Sequence, residues 1–287
     1  MSERQSELNV SIIGLGLIGG SIGMALKANS PQIHVAGWDI SNGSRDQAFH
    51  LGAVDRADVS LSAVVASADL VVIATPVTVT LDLLTSISLH LKSTAIVTDT
   101  GSTKLRIVEA AEEVLPGRFV GGHPMAGSEI SGLAGSRANL FKDANWLLTP
   151  TSTTLAESVS VAERLVRCCG AIPRICAADV HDRMVAALSH LPHIVAWELG
   201  IAAHDLVPTE FRDVAAGSFK DGTRVGHSDP AHWAKILLDN RTEVLHSLAL
   251  ADSWRKEVAQ AIEANDLALL TDLLKSARTN LSDFPKR

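Results

Sequence analysis

Residues 10–19 read Val10-Ser11-Ile12-Ile13-Gly14-Leu15-Gly16-Leu17-Ile18-Gly19, and this stretch decides the fold of the first part of the chain. The apolar run at residues 10–13 predicts a short buried strand, and the apolar spacing of residues 18–27 predicts a helix. The three glycines between them have the spacing of a dinucleotide-binding turn. The first allows a tight turn, the second lets backbone approach a pyrophosphate, and the third lets the helix pack close to the strand. The N–H groups at the start of the helix would then face the phosphates.

A carboxylate follows at the spacing that such a turn requires. Residues 34–39, His-Val-Ala-Gly-Trp-Asp, predict a second strand ending at Asp39, whose side chain would hold the ribose hydroxyls of NAD. Asp39 would repel the 2′-phosphate of NADP, and the first cation after it, Arg45, stands where the next helix should start. An isolated glycine pattern is often a plain turn, but strand, helix and acid in register predict an NAD site, with NADP disfavoured.

Strand and helix patterns alternate through the first part of the chain. Four further apolar runs predict buried strands, and the segments between them have helical spacing; these runs are residues 69–76, 94–99, 119–124 and 145–150. The sequence therefore predicts an α/β fold, a doubly wound, Rossmann-like parallel sheet with ligands at the carboxyl ends of its strands.

The pattern changes near residue 178. No strand-like run appears in the sequence beyond residue 177, and residues 180–204 predict one long helix with a kink at Pro192. We therefore predict a dinucleotide-binding domain over residues 1–177 and an all-helical domain over residues 178–287. A small, apolar helical domain commonly covers its surplus apolar surface in a dimer, so we expect a homodimer formed through this domain.

Composition and charge narrow the class of protein. The chain has 287 residues, 46% of them apolar, and a formal net charge of −7 with scattered Lys and Arg, so no nucleic-acid-binding surface is expected. Residues 1–7 are polar and predict no signal peptide, and apolar runs such as residues 70–74 are too short to span a bilayer. The cysteines, Cys168, Cys169 and Cys176, fit neither a disulfide framework nor a zinc spacing. We expect reduced thiols in a cytoplasmic protein that binds no membrane.

Two loops after predicted strands carry groups that can act on a substrate. In Gly101-Ser102-Thr103-Lys104 the hydroxyl of Ser102 is a candidate, although capping of the next helix by Ser102 or Thr103 is the simpler interpretation. His123 follows Gly-Gly and precedes Pro at a strand end, on rigid backbone at the expected cofactor edge. A neutral imidazole there can take the proton of an alcohol during hydride transfer, while a purely structural histidine is the alternative.

The helical part contributes imidazole and basic side chains. His190 and His193 are spaced to share a metal, but no carboxylate or Cys lies at a matching spacing, so no metal is predicted. Binding of an anionic substrate or simple packing suits these histidines better. Lys220 and Arg224 flank a glycine-containing turn, where they can grip a carboxylate or form a solvated basic pair near a helix end.

Together these motifs resemble those of the prephenate/arogenate dehydrogenase family, the cyclohexadienyl dehydrogenases, over nearly the whole chain. The specific blocks are His-Pro-Met-Ala-Gly from His123 and Ser-His-Leu-Pro-His from Ser189, whereas the glycine fingerprint is shared by many dehydrogenases. In family order the matching elements are Gly14-x-Gly16-x-x-Gly19, Asp39, Ala74-Thr75-Pro76, Asp99-x-Gly101-Ser102-x-Lys104, Gly122 to Glu129, His181-Asp182, Ser189 to His193, Thr223-Arg224, and Ser228-Asp229-Pro230 with Trp233.

The resemblance implies roles for these residues. It implies that His123 accepts the proton of a ring hydroxyl, that Ser102 aligns this hydroxyl with the imidazole, and that Arg224 and His193 contact the substrate. Lys220 stands where the family often has Arg, so a point charge is expected there. The implied contacts to NAD come from Gly14, Gly16, Leu17, Ile18, Gly19, Asp39, Thr75 and Pro76.

The implied activity is that of an NAD-dependent oxidoreductase, which converts prephenate to 4-hydroxyphenylpyruvate in tyrosine biosynthesis. The C4 hydroxyl is oxidised while the C1 carboxylate leaves as CO₂. The alternatives are oxidation of arogenate to tyrosine, use of both substrates, or a non-catalytic NAD-sensing protein, which would not need Ser102, His123 and Arg224 together. A β-hydroxyacid dehydrogenase would need a Lys with an Asn four residues later on the interdomain helix, and residues 182–200 contain neither.

Overall fold

The structure is a computed structural model that describes residues 8–128, 130 and 132–285. Residues 1–7, in which we predict no signal peptide, lie outside the described residues. Glu129, the last residue of the block that starts at Gly122, also lies outside them.

Within the described residues, eight strands form a single sheet in the spatial order β3-β2-β1-β4-β5-β6-β7-β8. The chain starts in the middle of this sheet and returns to the other side of β1 after β3, which is the doubly wound order. The strands are β1 (Asn9–Ile13), β2 (His34–Trp38), β3 (Arg56–Ala57), β4 (Leu70–Ile73), β5 (Ile96–Asp99), β6 (Phe119–Pro124), β7 (Asn145–Thr149) and β8 (Ile172–Ile175).

Helices cover both faces of the sheet because its central strands are apolar on both faces. Ile12 and Val72 point into one core, and their chain neighbours Ile13 and Val71 point into the other. The helices of this part are α1 (Leu17–Asn29), α2 (Asn42–His50), α3 (Leu61–Val65), α4 (Val77–Ser88), α5 (Leu105–Val114) and α6 (Ala156–Cys168).

The predicted Rossmann-like sheet is confirmed, with one difference at its far side. Strand β7 runs antiparallel to β6, with Pro124 opposite Trp146. Parallel pairing needs a crossover that carries the chain back across the sheet, usually a helix. In the described residues between β6 and β7 the only helical turn is a 3-10 turn at Leu133–Gly135, so β7 starts beside the end of β6.

The last part of the chain is helical, as predicted. Its helices are α7 (Ala178–Val185), α8 (Leu191–Leu206), α9 (Gly217–Thr223), α10 (Pro230–Asp239), α11 (Arg241–Glu263) and α12 (Leu267–Leu281). Strand β8 ends at Ile175 and α7 begins at Ala178, but the boundary between two domains at residues 177 and 178 stays a prediction.

The predicted long helix is present, and a wide turn adjusts it to Pro192. Helices α7 and α8 are continuous through a π-helical turn at Ala186–His190. Such a turn suits the position before a proline, because proline lacks an N–H and its ring would clash with a regular preceding turn. By length and composition alone, Ala178–Leu206 could cross a membrane, and the core helix of a soluble protein passes the same test.

Candidate active site

The glycine turn has the backbone that its sequence predicts. Gly14 has φ of +94°, a conformation that L side chains rarely adopt, and a Cβ there would meet the carbonyl of Ala74. A Cβ on Gly19 would collide with the carbonyl oxygen of Gly14, so this position needs glycine for close packing of α1 on β1. A Cβ on Gly16 would meet no described atom within 4 Å.

The start of α1 is open to a ligand. Gly16 is its N-cap, and no side chain of the described residues caps the helix. The first N–H groups of a helix need acceptors and favour negative charge. The uncapped N-terminus at Leu17 and Ile18, beside the open space at Gly16, therefore fits the pyrophosphate of a dinucleotide.

Asp39 lies just past the end of β2, where its carboxylate is held by backbone. One oxygen accepts the N–H of Leu15 at 2.8 Å and the other accepts the N–H of Ser41 at 2.8 Å. Arg45 is buried on α2 and donates to the carbonyl of Asp39 and the side chain of Asn42. The first cation after β2 is thus engaged within the protein, which matches a preference for NAD over NADP.

Thr75 and Pro76 lie after β4, next to the glycine turn. The methyl group of Thr75 would lie 3.0 Å from a Cβ on Gly14, and its hydroxyl is 3.0 Å from that of Thr80. Pro76 is the N-cap of α4. Both residues therefore stand at the same edge of the sheet as the start of α1.

A buried ion pair fixes the loop that carries Ser102. Asp99, the last residue of β5, pairs with Lys104, and both side chains are fully buried. The carboxylate of Asp99 also accepts the N–H groups of Gly101 at 2.7 Å and Gly122 at 3.0 Å. The loop after β5 is thereby tied to β6. The hydroxyl of Ser102 has no hydrogen-bond partner among the described residues and is available to a ligand.

The capping role that we weighed for Ser102 or Thr103 is not what the structure shows. The start of α5 is capped by Asp182 of α7, which accepts the N–H of Lys104 at 2.7 Å and of Leu105 at 2.9 Å. Thr103 instead donates to Asp239 at the end of α10. The cap comes from far along the sequence, so local spacing could not reveal it.

His123 lies near the end of β6, half-buried and at the carboxyl edge of the sheet. Its Nδ1 is 2.9 Å from Nε2 of His181, a fully buried side chain of α7. Burial first, then the nearby His181, Lys104 and His190, hold the pKa of His123 well below its ordinary value. The imidazole is therefore neutral near pH 7 and can accept a proton.

His193 stands on α8 in a second cluster, where three elements meet. Its Nδ1 is 2.8 Å from the carbonyl oxygen of Ser189, its Nε2 is 3.5 Å from the Ser228 hydroxyl, and its ring is stacked on Trp233 of α10. Burial lowers the pKa of His193, the hydrogen bond to the carbonyl oxygen of Ser189 opposes this, and the positive charge of Arg224 lowers the pKa further. The exposed Arg224 side chain is thus close enough to influence this imidazole.

Two further sets of side chains in the helical part were singled out from the sequence, Lys220 and the pair His190 and His193. The side chain of Lys220 is exposed on α9, and its backbone N–H donates to the carbonyl oxygen of Ala216 at 3.1 Å, so a contact of Lys220 with a substrate stays a prediction. His190 and His193 each face Trp233, with ring centroids 5.9 and 3.5 Å from the indole. Within the described residues no group of three His, Cys, Asp or Glu side chains could hold a metal ion.

A buried path joins the two clusters. Asn240, at the corner between α10 and α11, donates to the carbonyl oxygen of Asp182 at 2.7 Å and lies 3.3 Å from Nδ1 of His190. The continuous chain of contacts runs through His123, His181, Asp182, Asn240, His190, Trp233 and His193. Sequence reasoning gave no role to Asn240 and used His181, Asp182 and Trp233 only as matching positions. The adjacent His181 and Asp182, within the predicted helix of residues 180–204, were the signal in the sequence.

Two family models match the chain. The model described as prephenate dehydrogenase, nucleotide-binding domain, covers residues 22–174, and the model described as prephenate dehydrogenase, dimerization domain, covers residues 177–276. The glycine turn lies before the first matched residue, so the match does not depend on the most widely shared motif.

Similar proteins span almost all of this chain. A prephenate dehydrogenase of Bacillus subtilis is 38% identical over 99% of this chain and 78% of its own length. A cyclohexadienyl dehydrogenase of Zymomonas mobilis is 33% identical over 94% of each. The crystal structure of Aquifex aeolicus prephenate dehydrogenase in complex with hydroxyphenyl propionate and NAD⁺ has a TM-score of 0.89 at 30% identity, covering 98% of this chain and 99% of that one.

Proposed function

The chain belongs to the prephenate dehydrogenase family, and from that premise we propose that it converts prephenate to 4-hydroxyphenylpyruvate with NAD as the cofactor. It is an oxidoreductase of the tyrosine pathway. NAD, when bound, accepts the hydride from C4 of the ring. The glycine turn and the uncapped start of α1 would hold its pyrophosphate, and Asp39 would hold its ribose hydroxyls.

The observation that carries the proposal is the position of His123 near the carboxyl end of β6, with its Nδ1 2.9 Å from Nε2 of His181. A base at this edge lies on the side of the sheet where the glycine turn would bind the cofactor. We assign to His123 the acceptance of the C4 hydroxyl proton, and to Ser102, with its available hydroxyl, the alignment of the same oxygen. Formation of an aromatic ring drives the reaction, so the protein mainly has to align the groups.

We assign the carboxylates of the substrate to the second cluster. The guanidinium of Arg224 can donate two parallel hydrogen bonds to a carboxylate, and Nε2 of His193 points to the same region as the Ser228 hydroxyl. Lys220, exposed on α9, would contribute long-range charge rather than a direct contact. Replacement of Arg224 or His193 should therefore raise KM for the substrate more than replacement of Lys220.

The proposed function is tested by following NADH absorbance with purified protein. Prephenate and arogenate are each offered with NAD and with NADP, and turnover is expected with prephenate and NAD. His123→Asn is the control that should retain NAD affinity while losing kcat by ~10²-fold or more. Preference for arogenate would select the alternative substrate. Folded protein that binds NAD but oxidises neither substrate would overturn the proposal in favour of a sensing role.

We also propose that the working form is a homodimer formed through the helical part, in the cytoplasm. No residue of α12 is buried within the single described chain, although its side chains include the exposed Leu267, Leu274 and Leu281. A second exposed apolar area of the helical part is an open groove of about 780 Å³, lined by Trp197, Phe219 and other residues outside α12. Exposed apolar area of this kind marks an interface, and the second family model is described as a dimerization domain.

Light scattering on the eluting protein tests the dimer. We expect twice the mass of the chain, and a shift toward the monomer in Leu274→Glu, which puts a charge on the apolar surface of α12. Leu155→Glu, at an exposed leucine outside the helical part, is the matched control and should leave the mass unchanged. A wild-type protein that elutes as a monomer would contradict the proposal.

A further inference from the structure

His181 and Asp182 are adjacent on α7, yet each contacts a different part of the site. Nε2 of His181 lies 2.9 Å from Nδ1 of His123, and Nδ1 of His181 lies 2.8 Å from Oδ1 of Asp182. Both His181 and Asp182 are buried, and the rings of the two histidines are tilted by 57°. The three side chains form a row that starts in the buried interior and ends at the carboxyl edge of the sheet.

The position of each proton in this row follows from the chemistry of the groups. A carboxylate can only accept hydrogen bonds, so Nδ1 of His181 carries a hydrogen and donates it to Asp182. Nε2 of a neutral His181 is then a bare acceptor. The hydrogen between the two rings must therefore belong to Nδ1 of His123, which leaves Nε2 of His123 without a hydrogen.

This arrangement of hydrogens requires a neutral His181 and an ionised Asp182, and the environment of each side chain favours that state. Burial lowers the pKa of His181 and outweighs its hydrogen bond to Asp182, which acts in the opposite direction, so His181 is neutral. Burial alone would raise the pKa of Asp182, but its hydrogen bonds from His181 and from the N–H groups of Leu105 and Lys104 lower it below its ordinary value. Asp182 is therefore ionised.

We propose that His181 and Asp182 are positioning residues that hold His123 in its Nδ1–H tautomer, so that its bare Nε2 takes the hydroxyl proton of the substrate. The identity of that hydroxyl rests on the proposed function, whereas the tautomer does not. Asp182 acts on a second group as well. Because its carboxylate caps α5 at Lys104 and Leu105, it also fixes the end of the loop that carries Ser102.

The proton balance of the reaction is consistent with a buried row of this kind. As hydride leaves C4, the hydroxyl proton moves to Nε2 of His123, and the resulting positive charge faces Asp182 through His181. When the bond between C1 and its carboxylate breaks, the electron pair enters the ring and CO₂ leaves. The phenolic oxygen then takes the proton back from Nε2, so no proton is released to water.

Other charged groups around this row oppose or support the transient charge. Lys104 and His190 lie near enough to disfavour a cation on His123. Asp182 and Asp99 favour a cation on His181, while Lys104 disfavours it. Loss of Asp182 should therefore make proton transfer to His123 harder, and the effect should be in kcat rather than in cofactor binding.

Nitrogen NMR of protein labelled with ¹⁵N-histidine tests the tautomer directly. The His123 signals are assigned by their loss in His123→Asn. We expect Nδ1 of His123 to be protonated and Nε2 to be bare in the wild-type protein without substrate. In His181→Phe, which removes the acceptor for Nδ1–H, the Nε2–H tautomer should appear. A wild-type His123 in the Nε2–H form would overturn the proposal.

Kinetics give the second readout. We expect His181→Phe and Asp182→Asn to lower kcat by about 10²- to 10⁴-fold, as loss of an orienting group does in other histidine bases, with KM for NAD unchanged. The lower inflection of the pH profile of kcat should move as well. Asp179→Asn on the exposed first turn of α7, and His90→Phe in an exposed turn, are matched controls that should leave the profile unchanged.

The outcomes separate this proposal from the proposed function. A protein that oxidises neither prephenate nor arogenate but has His123 in the Nδ1–H form would keep the tautomer assignment and lose the function. A protein that oxidises prephenate with His123 in the Nε2–H form would keep the proposed function and overturn the tautomer assignment. A purely structural role of His181 would lower the Tm of His181→Phe without changing the tautomer of His123 or the pH profile. If Asp182→Asn does not fold, the nitrogen spectrum of the wild-type protein alone still shows which tautomer His123 has.

Discussion

The imidazole of His193 is stacked on the indole of Trp233, with 3.5 Å between ring centroids and 25° between ring planes. The two residues are on different helices, α8 and α10, and the same indole also faces the edge of His190 at 5.9 Å. Trp233 thus contacts both His193, which we propose to contact the substrate, and His190. Through His190 and Asn240 it is connected to Asp182. The stack gives a tryptophan at this position a function besides packing.

The stack predicts a selective effect of changing Trp233. Trp233→Ala removes an aromatic contact of ~0.5–1.5 kcal/mol and should raise KM for prephenate up to roughly tenfold, with a smaller change in kcat. Trp233→Phe, which can still face His193, should be close to wild type. Steady-state kinetics of both variants give the answer. An unchanged KM in Trp233→Ala, together with a lower Tm, would show that the stack only stabilises the fold.

Arg224 and Lys220 should differ when each is replaced by alanine. Arg224 influences His193 and can form a charge-assisted pair with a carboxylate, so Arg224→Ala should raise KM for prephenate by about 10- to 100-fold. Lys220 is exposed on α9 and should change KM little. Measurement of KM at low and high salt separates a direct contact from long-range attraction, because salt screens the latter. A larger effect of Lys220→Ala would mean that the carboxylate binds at α9.

Asp39 should decide between the two nicotinamide cofactors. Asp39→Asn keeps an oxygen for the N–H of Leu15 but loses the negative charge, so the preference for NAD over NADP should fall. Asp39→Ala should do the same and also raise KM for NAD, since it frees the backbone that the carboxylate holds. The ratio of kcat/KM for the two cofactors is the measurement. A ratio unchanged in Asp39→Asn would place the selectivity elsewhere.

Sequence patterns predicted the first part of the fold because each signal was local. The glycine turn and the apolar runs at residues 69–76 and 94–99 each depend on a few neighbouring residues, and strands are found at Leu70–Ile73 and Ile96–Asp99. Strand β8 (Ile172–Ile175) was missed because it lies at the sheet edge, is half-exposed and contains Pro173. Edge strands lack the continuous apolar run that marks central ones.

The sequence predicted those site residues that lie at the ends of predicted strands, but it did not predict the contacts between residues far apart in the chain. His123 lies near the end of β6 and Ser102 follows β5, and because the carboxyl ends of these parallel strands meet at one edge of the sheet, topology alone places the two residues near each other. The contact of Asp182 with α5 spans 78 positions, and that of Thr103 with Asp239 spans 136. No spacing in the sequence encodes such pairs. They arise because α7 and the corner between α10 and α11 pack against the start of α5, which only the tertiary structure shows.

The buried histidines predict that stability depends on pH below neutrality. Burial, only partly offset by Asp182, lowers the pKa of His190 from 6.5 to about 4, so the folded protein keeps His190 neutral where the unfolded chain is protonated. Below pH ~6.5 the unfolded state binds more protons, and the free energy of unfolding should fall until the pH reaches that of the folded group. His123 and His181, whose pKa values are also lowered, act in the same direction.

This linkage can be measured by urea unfolding at a fixed protein concentration, since a dimer makes apparent stability depend on concentration. At 1.36 kcal/mol per pKa unit, His190 alone should account for roughly 3 kcal/mol between pH 6.5 and 4. In His190→Gln the free energy of unfolding should therefore fall less between pH 6.5 and pH 4 than it does in the wild type. His90→Gln, in an exposed turn, should parallel the wild-type curve. If the His190→Gln curve parallels it too, His190 has the same pKa in the folded protein as in the unfolded chain, and the lowered pKa expected from its burial is wrong.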